Sequence, residues 1–198
     1  MKNLQAYIIP FTGVESPTIP TGSQNGFVSS NGYRNPTVTV DGHVLRERSE
    51  LLLLKEDKIL IQRRDEWELN DYKIPGGATD PDLTVVETAI KECKEEALIV
   101  ATNVKYYGAY TMLFGKDVPK WLQNRNNGKF PIDYEGYYTH CCVGIYDHDY
   151  EEKVAEEDQD TFYKLAKWVP ISEAKKYLRK EHVRAIDQYL LSARGNTI

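Results

Sequence analysis

Residues 76–99 read GGATDPDLTVVETAIKECKEEALI, and this stretch decides the fold. Gly76 and Gly77 follow Pro75 and break the extended chain before them; a loop then leads into a helix. At about 100° per residue, Val85, Val86, Ala89, Ile90, Cys93 and Ala97 share one arc, the expected buried stripe. Glu92, Glu95 and Glu96 line one edge of that stripe, while Glu87, Lys91 and Lys94 point elsewhere. Carboxylates three and four positions apart on one helix face repel each other by a few tenths of a kcal/mol. Beside a buried stripe they also lose solvation, which disfavours the charged form. A divalent cation reverses both penalties, and oxygen-only ligands suit Mg²⁺ or Mn²⁺. The alternative is a solvated acidic face relieved by Lys91 and Lys94.

Strand signals precede this helix. Thr37 to Val40 stops at Asp41-Gly42, a dipeptide that often joins antiparallel strands. Val44 to Leu54 makes a longer strand ending in the apolar run Leu51 to Leu54, which suits a sheet covered on both faces. After a polar turn, Ile59 to Gln62 returns as its partner, with Arg63 and Arg64 next. Trp67 to Lys73 reads as a loop, in which Trp67 is either a lid residue or packed on the core. Gly76 and Gly77 permit close backbone approach to a ligand.

Gly77, Glu92, Glu95, Glu96 and Ile99 stand at the spacings of the signature box of the Nudix hydrolases, which this stretch resembles. Cys93 is acceptable as the box's aliphatic position. Four positions depart from it: Leu83 stands where the first Glu belongs, Asp82 where a Gly usually precedes it, Lys91 replaces Arg, and Leu98 replaces the second Gly. The resemblance covers roughly residues 40 to 193 and implies an α/β/α sandwich with a mixed β-sheet. It also implies that Glu92, Glu95 and Glu96 bind metal and serve catalysis. Gly76, Gly77, Lys91 and Arg63 become substrate-binding candidates, Arg63 because the family often carries an arginine there facing phosphates. A solvated strand end is the plain alternative for Arg63. In place of the lost braces, Asp80 or Asp82 could fasten the loop to the helix.

Downstream, Val100 to Phe114 reads as a strand or a bent strand pair, followed by the insertion Gly115 to Gly136. Trp121, Phe130 and Tyr134 stand there beside Lys116, Lys120, Arg125 and Lys129, a stacking surface with positive charge or else a plain surface flap. Tyr137 to Tyr146 is the next strand, with Val143 and Ile145 on one face and His140, Cys141 and Cys142 alternating sides. The acid-rich run Asp147 to Asp160 reads as a solvated loop. The resemblance offers Glu156 or Glu157 from it as a further metal ligand or base, and Glu157 is carried as the catalytic candidate. Tyr163 to Val169 closes the sheet, Ser172 is the expected N-cap, and residues 173–193 are helical with a break near Glu181-His182. Leu178, Ile186, Tyr189 and Leu190 face inward, Gly195 ends the helix, and His182 is structural.

The chain has 198 residues, enough for one domain at 37–198 with residues 1–36 as an irregular arm, an expected dimer interface. A net charge of −5 argues against an extended nucleic-acid surface. It leaves room for a small nucleotide-type substrate. Three cysteines without framework spacing point to a reducing compartment. No signal-peptide or membrane-spanning run is evident, so the cytoplasm is the expected location. The function expected is a Mg²⁺- or Mn²⁺-dependent pyrophosphohydrolase cleaving a nucleoside diphosphate linked to another moiety. The alternative is a weak or inactive Nudix-like nucleotide sensor.

Overall fold

Alternation along one strand sets the layers. In strand β5 (His43–Lys55), Leu51 and Leu53 face one side of the sheet and Leu52 the other, all three fully buried. Each such side chain contributes about 1.5–3 kcal/mol of hydrophobic stabilisation, so the run demands cover on both faces. That cover is helix α1 (Val85–Ala97) on the Leu51 side, with Ala89 and Cys93 against the sheet. On the Leu52 side lie α2 (Ile171–Ala174) and α3 (Lys180–Gly195), which bring Ala174, Ala185 and Ile186. The result is an α/β/α sandwich.

The computed structural model describes residues 8–9, 27–28, 34–63, 71–80, 82–114, 134–146 and 165–195. Its strands are β1 (Ile8–Ile9), β2 (Phe27–Val28), β3 (Arg34–Asn35), β4 (Thr37–Val40), β5, β6 (Lys58–Arg63), β7 (Gly76–Ala78), β8 (Thr102–Leu113), β9 (Gly136–Ile145) and β10 (Leu165–Pro170). The main sheet runs β1-β8-β9-β5-β6-β10, with β4 and β7 also paired to β5. Its β5–β9 pairing is parallel and the others antiparallel, so the sheet is mixed. Asp41 and Gly42, both at positive φ, form the tight turn between β4 and β5. β1 pairs with β8, which seats one piece of the N-terminal arm on the sheet, while β2 and β3 form a separate two-stranded ribbon.

Several expectations are decided or corrected. Of the two alternatives read for Val100 to Phe114, residues 102–113 take the single strand, with register shifts along it. Tyr134 belongs to a buried aromatic cluster with Phe114 and Tyr137, so it is no open stacking surface. Ser172 lies inside α2, whose N-cap is Pro170 without a side-chain cap. The helical break falls between Ala174 and Lys180, because Tyr177 and Arg179 turn back to bond the Tyr72 backbone. Val143 and Ile145 do share one face of β9, Val143 packed against the core and Ile145, at the strand end, exposed. Trp67, the 115–133 part of the insertion and the acidic run with Glu156 and Glu157 lie outside the described residues. No helix among the described residues is long and apolar enough to cross a membrane.

Candidate active site

The site begins with how β7 is seated. Gly76 pairs with Glu50 and Gly77 with Ser49 on β5. Gly76 has φ 154°, and a Cβ there would come 2.5 Å from Ser49 O. A Cβ on Gly77 would lie 2.3 Å from Glu92 Oε1, so the bare glycine is what leaves room for that carboxylate.

From there the chain enters α1 through a capping box: Glu87 N–H donates to Thr84 Oγ1, and Thr84 N–H donates to Glu87 Oε2. Lys91 Nζ donates to Asp80 Oδ2 at 3.0 Å, and Asp80 Oδ1 accepts from Asp82 N–H. Asp80 therefore ties loop to helix, which the sequence left open between Asp80 and Asp82. The Lys91 hydrogen bond holds the Asp80 carboxyl below its usual range and raises Lys91 in return. At the far end Leu98 adopts the left-handed conformation, φ 57°, with its N–H on Lys94 O. Leucine thus takes on the cap geometry that glycine adopts at no cost.

The three glutamates do not share one environment. Glu96 was expected on the edge of the stripe, but α1 is rolled so that Val85, Thr88, Ala89, Cys93 and Glu96 are the buried residues. Ile90, Val86 and Ala97 are only partly covered. The roll is stabilised because Glu96 meets donors inside. Lys73 Nζ donates to Oε1 at 2.6 Å, and Gln62 Nε2 and Gly76 N–H donate to Oε2 at 2.7 and 2.9 Å. Gln62 and Lys73 exchange backbone hydrogen bonds across a β-bridge, so their side chains leave on the same face and converge on one carboxylate.

Glu92 is the contrast. No hydrogen bond or ion pair from the described residues reaches its carboxylate. Burial, then the Glu96 charge, pushes its carboxyl up to about 7, against weaker relief from Lys73 and Arg48. Glu95 is partly exposed, with a loose 3.9 Å pairing to Lys91.

Beneath β7 a second polar group fills the other face of β5. Glu50 is fully buried, with Arg48 Nη2 and His182 Nδ1 each 3.2 Å from Oε1, and Tyr110 OH donating to Oε2. Burial alone would raise the Glu50 carboxyl; the His182, Arg48 and Lys73 charges outweigh it and hold it low. Buried Glu47 lies 2.7 Å from His140 Nε2 and accepts from Thr79 Oγ1. Arg63 ends β6 with its guanidinium 5.5 Å from the Tyr72 ring centroid, a cation–π distance.

Among the described residues, no three His, Cys, Asp or Glu side chains are already grouped to hold a metal ion. Glu96 is turned to Lys73, and Glu95 is partly exposed beside Lys91. The donor chemistry nonetheless fits a hard cation, because Glu92 and Glu96 are mutually repelling oxygen ligands in a desolvated place. Sequence reasoning missed Lys73, Gln62, Arg48 and Glu50. A lone loop lysine and a strand glutamine carry no signal; the Thr84-x-x-Glu87 capping box, also unread, does have one in its spacing.

A mixed sheet between helices, with a glycine-led loop feeding an inward-turned acidic helix, defines the class. Residues 36–189 match the model of the NUDIX domain, and the chain belongs to the Nudix family. That family hydrolyses pyrophosphate bonds and generally uses divalent metals such as Mg²⁺ or Mn²⁺.

The fold is similar to a NUDIX hydrolase from Nitrosomonas europaea: 15% identity, TM-score 0.53, covering 74% of this chain and 89% of that one. It is also similar to the E. coli dihydroneopterin triphosphate pyrophosphohydrolase: 16% identity, TM-score 0.53, covering 73% and 94%. The NUDIX domain of Shewanella oneidensis NrtR, complexed with ADP ribose, gives 16% identity, TM-score 0.50, and 78% and 89% coverage. No curated protein matches the chain.

Proposed function

We propose that this chain is a metal-dependent pyrophosphohydrolase cleaving a nucleoside diphosphate linked to another moiety. The observation that carries this reading is Glu92, a desolvated carboxylate beside Glu96 whose charged form needs a cation. Mg²⁺ or Mn²⁺ held by Glu92, Glu95 and Glu96 would polarise a phosphate and acidify an attacking water. Gly76 and Gly77 let the substrate approach the backbone closely, and Arg63 and Lys91 are the cations assigned to its phosphates. Lys91 keeps an arginine's charge without its two-pronged fork, and its bridge to Asp80 steadies the loop. Glu157 is the residue assigned to take the proton from water. The catalytic domain is taken as 37–198, with residues 1–36 as an arm that serves a homodimer interface. Location in the cytoplasm accords with three buried free thiols.

Glu96→Gln tests the reading. It is expected to abolish Mg²⁺-dependent turnover while the circular dichroism spectrum stays native. The screen covers sugar nucleotides, dinucleotides and nucleoside triphosphates with Mg²⁺ or Mn²⁺, reading phosphate after phosphatase coupling. Wild-type rates from the mutant on every hydrolysed substrate would remove the metal-site assignment.

A second reading, a nucleotide-binding regulator without turnover, is favoured by one observation, the Lys73 ammonium seated on Glu96. Nucleotides that raise the melting temperature while none is hydrolysed would select it.

A further inference from the structure

Lys73 belongs to no part of the family box, yet it makes the shortest contact to the box helix's most buried acid. Its Nζ bridges two oxygens, Glu96 Oε1 at 2.6 Å and Gly76 O at 2.8 Å. Both side chains of the Lys73–Glu96 pair are 6% exposed. Carboxylate and backbone carbonyl oxygens are also the donors that hard divalent cations take. An ammonium has only donors to offer, so at this place it meets the same oxygens a metal would meet. The placement is built in, because the backbone exchange between Gln62 and Lys73 fixes where the lysine stem starts.

We propose that the Lys73 ammonium is the resident cation of the glutamate rim, and that a divalent ion engaging Glu96 must displace it. This rests on the reading of α1 as a metal-binding helix and adds a competitor to it. Two cations sharing Glu96 in a desolvated place repel strongly, because little water screens them. Three of the carboxylate's roughly four lone-pair sites are already taken, two on Oε2 by Gln62 and Gly76 N–H and one on Oε1 by Lys73, so an ion reaching Oε1 arrives directly beside the ammonium. Lys73 carries its charge on a flexible four-carbon stem, so rotation of that side chain alone is the motion the displacement requires. Glu92 feels Lys73 and Arg48 only at a distance and forms no ion pair with a described residue, so it is the first carboxylate a metal would engage, and Glu96 follows only when Lys73 swings away. Metal affinity is therefore lower than three clustered glutamates would give.

The test is direct Mn²⁺ binding, read from the electron paramagnetic resonance of free Mn²⁺, for wild type, Lys73→Met, Lys73→Arg, Glu96→Gln and the double variant Lys73→Met/Glu96→Gln. Lys73→Met is expected to bind at least tenfold more tightly than wild type. Lys73→Arg, which keeps a cation there, stays as weak as wild type, and the double variant loses the gain. Equal or weaker binding by Lys73→Met, with binding still dependent on Glu96, overturns the displacement while leaving the metal helix standing. Binding that ignores Glu96 in both backgrounds overturns the metal helix itself and this inference with it. A second measurement needs no Lys73 variant that folds. In wild-type protein with ¹³C,¹⁵N-labelled lysine, saturating Mg²⁺ must shift the Lys73 Cε and Nζ resonances, assigned through the backbone. An unmoved signal at saturation overturns the proposal.

Discussion

The buried carboxylates Glu47 and Glu50 of β5 and Glu96 of α1, and the partly buried Glu92 beside the last, lie in one molecule, yet their charges are met differently. Glu50 sits among Arg48, His182 and Tyr110, and Glu47 between His140 and Thr79. On α1, Glu96 has a full set of internal donors, but Glu92, one turn earlier, has none from the described residues. The carboxyl shifts follow: Glu50 is held low by its neighbours, and Glu92 is driven up to about 7 by burial and by Glu96. Burial by itself therefore does not mark a functional carboxylate. A buried acid that the fold leaves short of positive partners does.

The largest expected effect comes from breaking the satisfied side. Glu50→Gln leaves Arg48 as a buried cation without its counter-charge, and urea unfolding should show a loss of about 3–5 kcal/mol. A loss under about 1 kcal/mol would mean that water meets Arg48, and the contrast between the strands and α1 would collapse.

The pH dependence of metal-free protein probes the other side. The groups facing Glu92 are Glu96, Lys73, Glu95 and Arg48. Its folded-state value, about 7, lies above the unfolded value of 4.5, so the native state keeps a proton that the unfolded chain releases first. Stability from this group is complete below pH 4.5 and falls as pH rises toward 7, by about 1–3 kcal/mol. In chelator, Glu92→Gln should flatten that slope, as measured by urea midpoints across pH 4.5–8. A slope equal to wild type would assign it to another group.

Smaller effects sharpen the account of how α1 is anchored. Leu98→Gly removes the left-handed strain of a residue with a Cβ and should stabilise by about 1 kcal/mol, seen as a higher melting temperature. Asp80→Asn breaks a half-exposed bridge to Lys91, worth no more than about 1 kcal/mol. That difference should shrink in high salt, and a salt-independent loss would mean that Asp80 acts through its backbone turn instead.

Much of this was legible along the chain. The run Leu51 to Leu54 called for a doubly covered sheet, the Asp41-Gly42 turn joined its strands as read, and Gly77 with Glu92, Glu95 and Glu96 pointed to the Nudix family. Each of these signals is local, a period or a spacing within one element. Errors came where the answer lay across elements. The apolar stripe of α1 was read from its own residues, and Glu96 was set on its edge. In the fold, donors from Gln62, Lys73 and Gly76 draw that acid into the buried arc. Ser172 resembled a cap, but the chain leaves β10 directly into α2 and makes Pro170 the boundary.

The sequence by itself determined which elements form and which residues carry carboxylates, because propensity, periodicity and turn chemistry act over a few neighbouring residues. Only the tertiary structure decided which of those carboxylates is already neutralised. That depends on Lys73, 23 positions from Glu96, and on Gln62, 34 positions from it, brought together by one β-bridge. Electrostatic satisfaction is a property of distances in space, so the difference between Glu92 and Glu96 could not be read from a helix that carries both.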